Sequence, residues 1–145
     1  GISEGALQSA LTYTREQTRP RAITQTSAIE DPIIQHHYGQ FYVQVEAANL
    51  VVKKADQLLQ ELWNEPEKIT PKHRSNLDDA LQTAKIFTTQ VGLDITSKIF
   101  EVMGSRATAG RYGFDRYWRN LRTMTLHVPV DTSIQSLGRK FLLGE

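Results

Sequence analysis

Residues 31–66 read DPIIQHHYGQFYVQVEAANLVVKKADQLLQELWNEP, and this stretch decides the fold. Asp31 is a good helix N-cap, and Pro32 suits the first helical turn because its missing N–H would have no partner there. From that start Tyr38, Phe41, Val45, Ala48, Val52, Ala55, Leu59 and Leu62 follow at spacings of 3, 4, 3, 4, 3, 4 and 3. Such spacing draws one apolar seam along a helix packed against near-parallel neighbours. The seam runs for about nine turns at 3.6 residues per turn before Pro66 ends it.

Outward from this helix the pattern repeats. Thr70-Pro71 is again a cap followed by proline, and Leu77, Leu81, Ala84, Val91, Ile95, Ile99 and Val102 carry a second long helix to Gly104. Two long helices joined by a short turn form an antiparallel hairpin. Ahead of the hairpin, Ser3 to Thr18 places Ala6, Leu7, Ala10, Leu11 and Tyr13 on one broad face and ends near Arg19-Pro20. After Gly110 and Gly113, residues from Phe114 to Leu126 form a further helix, and Pro129 opens a last short one through Leu142. No segment alternates with a strand's period of two. The expected fold is all-α: an up-and-down four-helix bundle with a short extra C-terminal helix, one domain over residues 1–145. Arg21 to Asp31 is expected to be the only sizeable loop.

The composition narrows the function. The chain has 145 residues, 39% of them hydrophobic and 23% charged, with nine Gly and five Pro, as in a folded globular domain. Seventeen Lys and Arg against sixteen Asp and Glu leave a net charge of +1, so no overall field draws nucleic acid or anionic lipid. The absence of Cys excludes a disulfide framework, a thiolate metal cluster and a cysteine nucleophile. No apolar run approaches the ~20 residues of a membrane span. The start, Gly1-Ile2-Ser3-Glu4-Gly5, has neither an initiator Met nor a signal-peptide pattern, so the chain reads as a fragment: either a tag was removed or the polypeptide was cut from a longer one.

Chemistry concentrates near the end. Between Gly104 and Arg122 lie Arg106, Arg111, Arg116, Arg119 and Arg122 against one acid, Asp115, with Tyr112, Phe114, Tyr117 and Trp118 between them. Arginine's planar fork suits phosphate, aromatics beside it can stack on a flat ring system, and glycines let backbone amides approach an anion closely. The competing reading packs Tyr117, Leu121 and Leu126 in the bundle and leaves several arginines solvated or paired with acids on neighbouring helices. A helical metal site needs ligands three or four apart, and the histidines lack that pattern: His36 and His37 are adjacent and His73 stands alone, so no metal is expected. His127 precedes Val128-Pro129, where a helix stops and a side chain can face a cleft as acid, base or hydrogen-bond donor. No Gly-x-Ser-x-Gly elbow is present, and Asp78 and Asp79 read as a solvated face.

The run from Arg111 to Asn120, RYGFDRYWRN, followed by Arg122-Thr123, Thr125-Leu126-His127 and Pro129-Val130, resembles the C-terminal end of flavin-dependent monooxygenases of the acyl-CoA dehydrogenase superfamily, most closely the dibenzothiophene monooxygenase type. Tyr13-Thr14-Arg15, Thr18-Arg19-Pro20, Glu30-Asp31-Pro32 and Phe100-Glu101-Val102-Met103-Gly104 agree with it, so the resemblance covers nearly the whole chain. It implies the C-terminal bundle of a three-domain flavoprotein that assembles as a homotetramer, with the flavin between middle domain and bundle and a neighbouring subunit's bundle helping to hold its phosphate. It also implies a separate flavin reductase, a small organic substrate, a cytoplasmic location, and a C4a-peroxyflavin as the oxygenating species. The flavin would be reduced FMN, with FAD as the alternative. By motif match Arg19 and Arg106 would contact the flavin phosphate, and His127 would stand near the flavin ring as the catalytic residue. The isolated fragment is expected to be inactive.

Two positions depart from that family's usual pattern, Met124 where it has a histidine and Val128 where it has an aspartate. The same region bears on the main alternative, an FAD-dependent acyl-CoA dehydrogenase. Most such enzymes place a base, a glutamate, about where His127-Val128 falls, and here the nearest carboxylate is Asp131. A nucleic-acid or protein interaction module built on the basic, aromatic stretch is a third reading, and the near-neutral net charge disfavours it.

Overall fold

The computed structural model describes residues 1–144, and among these it contains five α-helices and no strand: α1 (Ile2–Glu16), α2 (Pro32–Asn64), α3 (Pro71–Met103), α4 (Asp115–His127) and α5 (Asp131–Leu143). The two long helices begin as the cap-then-proline pattern requires. Asp31 accepts the Ile33 N–H at 2.8 Å, and the Thr70 hydroxyl accepts the His73 N–H at 3.3 Å. His73 returns the bond, its Nδ1 accepting from the Thr70 N–H at 3.4 Å, which gives this lone histidine a capping role. α3 ends where Gly104 takes φ +83°, a left-handed turn that a side chain would strain.

Cross-helix contacts fix the directions. Gln44 of α2 meets Asp94 of α3, and His37 meets Glu101, so the hairpin is antiparallel. Thr14 of α1 lies at Val102, while Ser3 lies at Gly92, so α1 runs parallel to α3. Phe114 packs on Tyr13, Tyr117 bonds Ser9, and Leu121 reaches Gly92, so α4 runs back down. Lys140 of α5 meets Asp79, far down α3, so α5 continues in α4's direction along the remaining length of the hairpin. The result is an up, down, up, down bundle whose last helix is extended by a second segment.

The long helices have 33 residues each, about 50 Å at 1.5 Å per residue, whereas α1 has 15. All four bundle helices therefore meet only over the half of the hairpin nearest the end of α3. The core sits there: Ala6, Ala10, Ile34, Phe41, Ile95, Ile99 and Val102 are fully enclosed. Gly92 marks the crossing of α1, α3 and α4, where an added Cβ would lie 2.6 Å from Leu121 Cδ2 and 2.9 Å from Ser3 Oγ.

The expected seam of α2 is half realised. Phe41, Ala48 and Ala55, seven residues apart, are buried, and Ile34 extends the row. Val52 and Leu59 of the same seam remain 36% and 46% exposed, and Leu81 of α3 is 46% exposed. The spacing identified which face is apolar, but α1 is too short to cover that face in the far half. Arg21 to Asp31 is also not the only long connection. The stretch from Gly104 to Phe114 is equally irregular, with 3-10 turns at Ser105–Thr108 and Gly110–Tyr112, and Ala28–Glu30 forms a third such turn in the first loop. α1 stops at Glu16, short of Thr18, and Thr18 turns to other work.

Candidate functional site

The four last carbonyls of a helix have no partner within it, and an exposed helix end normally gives them to water. At the end of α3 each is taken. Phe100 O accepts from the Gly104 N–H at 2.9 Å, and Glu101 O accepts from the Arg21 guanidinium at 2.9 Å. Val102 O accepts from the Thr14 hydroxyl at 3.5 Å, and Met103 O accepts from the Thr18 hydroxyl at 3.2 Å. Three of the four donors come from α1 and the loop after it, so that loop is fastened across the end of α3.

This fastening brings together residues far apart in sequence. A cavity of 230 Å³ opens at the junction, lined by Tyr13, Arg19, Arg21, Glu101, Ser105 and Arg106 among others. Three arginines and one glutamate line it, and neither Arg19 nor Arg106 has a hydrogen-bond or ion-pair partner among the described residues. Arg21 is already engaged, with its Nε 3.7 Å from Asp31 Oδ2. A surplus of unpaired guanidinium beside a hydroxyl and an open helix-end turn is a donor set for a phosphate or another oxyanion.

The rest of the arginine-rich stretch disperses. Arg111 lies over the Tyr112 ring at 4.9 Å, Arg116 over Tyr117 at 5.1 Å, and Arg119 pairs with Asp115 at 3.0 Å. Only Arg106 of the five lines the cavity, and its companions come from the first loop. Tyr13, Tyr112 and Phe114 form a wall behind it, with Tyr13 edge-on to the other two at 5.2 and 5.4 Å. Burial, then its hydrogen bond with Tyr112, pushes the Tyr13 hydroxyl up, whereas hydrogen bonds from Arg111 and then Tyr13 pull the Tyr112 hydroxyl down.

His127 is the last residue of α4, exposed, at the end of the helix away from Tyr112. Its distance from the start of α4 is about 18 Å at 1.5 Å per residue, so the structure does not gather His127 with Arg19 and Arg106. A single ligand touching both would have to be extended, or two copies of the chain would have to offer opposite ends. Met124, one turn earlier, lines a separate, mostly apolar cavity of 280 Å³ with Ile2, Val45, Val52, Val91 and Leu121. Val128 is exposed, and no hydrogen bond or ion pair joins His127 to Asp131 among the described residues. His37 stands 3.3 Å from Glu101 Oε2, out of hydrogen-bonding alignment, and stacks on Phe41. No group of three His, Asp or Glu suited to a metal occurs among the described residues, and no described helix is long and apolar enough to cross a membrane.

Residues 1–132 match the family described as "Acyl-CoA dehydrogenase, C-terminal domain". The chain belongs to that family. Within it, the chain is 45% identical over 143 residues to a dibenzothiophene monooxygenase of Mycolicibacterium goodii, a match covering 98% of this chain and 34% of the relative. It is 44% identical over 140 residues to the probable FMNH2-dependent monooxygenase SfnC of Pseudomonas putida, covering 95% of this chain and 35% of SfnC. A crystal structure of TdsC from Paenibacillus sp. A11-2 with FMN and indole superposes with a TM-score of 0.94 at 38% identity, over 99% of this chain and 36% of that one. The chain thus spans about a third of the length of these relatives.

Arg21 and Ser105 are cavity residues that the sequence did not single out. Their membership depends on the loop being fastened to α3, a contact between residues 80 apart for Arg21 and Glu101, and no local pattern announces it. The one local signal was the pair of arginines flanking Pro20, two cations with no acid beside them.

Proposed function

We propose that the chain is the bundle of an FMNH2-dependent monooxygenase that oxygenates a small organic substrate. The observation carrying this reading is the identity of 44–45% over nearly the whole chain to a dibenzothiophene monooxygenase and to an FMNH2-dependent monooxygenase. The donor set fits the cofactor: two unpaired guanidiniums, Arg19 and Arg106, at a cavity that also holds the Ser105 hydroxyl, suit the single phosphate of FMN. The acyl-CoA dehydrogenase reading shares the fold but gains nothing here, since the segment around His127 offers no carboxylate nearer than Asp131.

In this proposal FMN, when bound in its reduced form, supplies the electrons that activate molecular oxygen. Arg19 and Arg106 hold its phosphate. His127 faces the ring of a flavin and donates a hydrogen bond, or moves a proton, at its imidazole Nε2. The exposed apolar residues beside it in the chain, Leu126 and Val128, keep water away once covered by the rest of the enzyme. His127 and the arginine cavity lie at opposite ends of α4, and of the two arrangements this allows we take the one in which one copy offers its arginines to a flavin whose ring is served by another copy's His127. That arrangement requires a homo-oligomer, which we take to be a tetramer, and the exposed Tyr42, Val43 and Leu50 of α2 are apolar surface available for it. A separate reductase delivers the reduced flavin in the cytoplasm, and two further domains precede the bundle.

The test uses the full-length protein. Reduced FMN and labelled O2 are mixed with it in the presence of dibenzothiophene or indole, and oxidised protein is mixed anaerobically with acyl-CoAs. One labelled oxygen atom should enter a product, and no acyl-CoA should bleach the flavin. Bleaching by an acyl-CoA without oxygen incorporation would overturn the reading in favour of a dehydrogenase. In the same assay His127→Ala should lower product per flavin oxidised far more than it weakens FMN binding.

A further inference from the structure

Arg21 lies in the wall of the arginine cavity, yet its charge is already answered. Its terminal nitrogen donates to Glu101 O at 2.9 Å, and its Nε lies 3.7 Å from Asp31 Oδ2. Asp31 is 4% exposed and spends its other oxygen, Oδ1, on the Ile33 N–H at the start of α2. A buried carboxylate needs a cation close by, and Arg21 supplies it. One guanidinium therefore ties three segments together: the loop after α1, the first turn of α2 and the last turn of α3.

Thr18 makes the second tie, from its hydroxyl to Met103 O at 3.2 Å. Between the two anchors lie only Arg19 and Pro20, and proline's ring fixes one more backbone angle. Arg19 is thus strapped at both sides onto the turn of chain that leads, three residues past Met103, to Arg106. Without the strap, Arg19 would sit on an open loop, and its guanidinium would have to be ordered at the moment an anion bound.

We propose that Arg21 and Asp31 are a positioning pair: they hold Arg19 beside Arg106 and do not themselves bind the anion. This rests on the reading of Arg19 and Arg106 as phosphate contacts, and it assigns roles to two residues that make no contact with the flavin. Electrostatics alone makes the opposite forecast for one of them. Asp31 is a negative charge close to an anion site, so if Arg21 were simply one more cation, neutralising Asp31 would strengthen anion binding. If the pair is a strap, neutralising Asp31 releases Arg21, loosens Arg19 and weakens binding.

The experiment compares FMN with riboflavin, which lacks the phosphate, by flavin fluorescence titration of the full-length protein. The ratio of the two affinities isolates the phosphate end. The wild type should prefer FMN. Asp31→Asn keeps a good helix cap and nearly the same shape, and it should lower the FMN preference about threefold to fivefold. Arg21→Ala should lower it about tenfold, and the double variant should be no worse than Arg21→Ala, because either change undoes the same strap. Arg21→Gln retains a donor for Glu101 O and should recover part of the loss, which covers the case in which Arg21→Ala folds poorly. An Asp31→Asn variant with unchanged or increased FMN preference would overturn the strap while leaving the phosphate reading in place. A wild type with no preference for FMN over riboflavin would overturn the phosphate reading, and the strap with it.

Discussion

The two halves of the α2–α3 hairpin are built from similar sequence and end up in different environments. Near the end of α3, four helices meet and enclose Phe41, Ile95, Ile99 and Val102. In the far half, α5 is the one helix among the described residues that joins the hairpin, and Leu59 and Leu81 stay partly exposed although they continue the same apolar rows. The difference teaches that heptad spacing specifies a face, while the lengths and start points of neighbouring helices decide whether that face becomes core. The arginine cavity opens at the end of the first half, where the packing is closest.

The strongest way to break this comparison is a matched pair of truncations. Phe41→Ala should destabilise the fold by about 3–5 kcal/mol, the range for an enclosed aromatic side chain. Leu59→Ala, on the same seam, should cost under about 1 kcal/mol, since it is half in water already. Urea unfolding of both variants checks this; equal losses would mean the far half is as closed as the near half.

The second test addresses the crossing point. Gly92→Val places side-chain carbon where Leu121 and Ser3 already stand, and it should cost about 2–3 kcal/mol through displacement of α4 and α1. Gly138 of α5, where an added Cβ would meet nothing within 4 Å, should tolerate the same change with a much smaller loss. Thermal unfolding gives the answer. If Gly92→Val is neutral, α1 and α4 are not pressed against α3 as described.

How far the sequence spoke follows the same division. The caps at Asp31 and Thr70, the stop at Gly104 and the 3-4 spacing of α2 and α3 are local signals, and they located the helices to within a few residues. That α1 leaves half the hairpin bare is a matter of relative length in three dimensions, and nothing in the row from Tyr38 to Leu62 records it. The site divides likewise. Arg19 was legible only through the family resemblance and Arg106 through that and the arginine- and glycine-rich stretch around it, and both line one cavity. Arg21 owes its role to a carbonyl 80 residues away. The arginines from Arg111 to Arg119 look like a cluster in sequence, but a helix turns successive side chains to different faces, so they separate onto Tyr112, Tyr117 and Asp115.

A third prediction concerns the polar tie that closes the near half. The Thr14 hydroxyl is fully buried, shares a hydrogen bond with the Tyr38 hydroxyl at 2.8 Å and reaches Val102 O at 3.5 Å. Thr14→Val keeps the shape and removes both bonds, leaving the Tyr38 hydroxyl without that partner, and should cost about 1–2 kcal/mol in denaturant unfolding. In the far half the corresponding tie is the surface pair of Lys140 with Asp79 at 2.5 Å. Asp79→Ala should cost only about 0.5 kcal/mol overall. Its effect should appear as faster amide exchange confined to α5.

The smallest effect is also the one that separates charge from packing. On the outside of the near half, Asp94 accepts from Gln44 at 3.0 Å and pairs with Lys98 at 2.8 Å. Burial pushes its carboxyl up, but the hydrogen bonds from Lys98 and Gln44 outweigh burial and hold it below the ordinary value of 3.8. The folded-state pKa is thus lower than the unfolded one, so this stabilisation is present above the ordinary value and is lost as pH falls through the folded value. Asp94→Asn should therefore unfold slightly more easily than wild type at neutral pH. The gap between them should close as pH drops below 3.8. It is a small fraction of the Phe41→Ala loss, because the pair is partly solvated and salt screens it. A gap that persists in acid would mean that shape at this position matters more than charge, and that α2 and α3 are held together in the near half by their enclosed side chains alone.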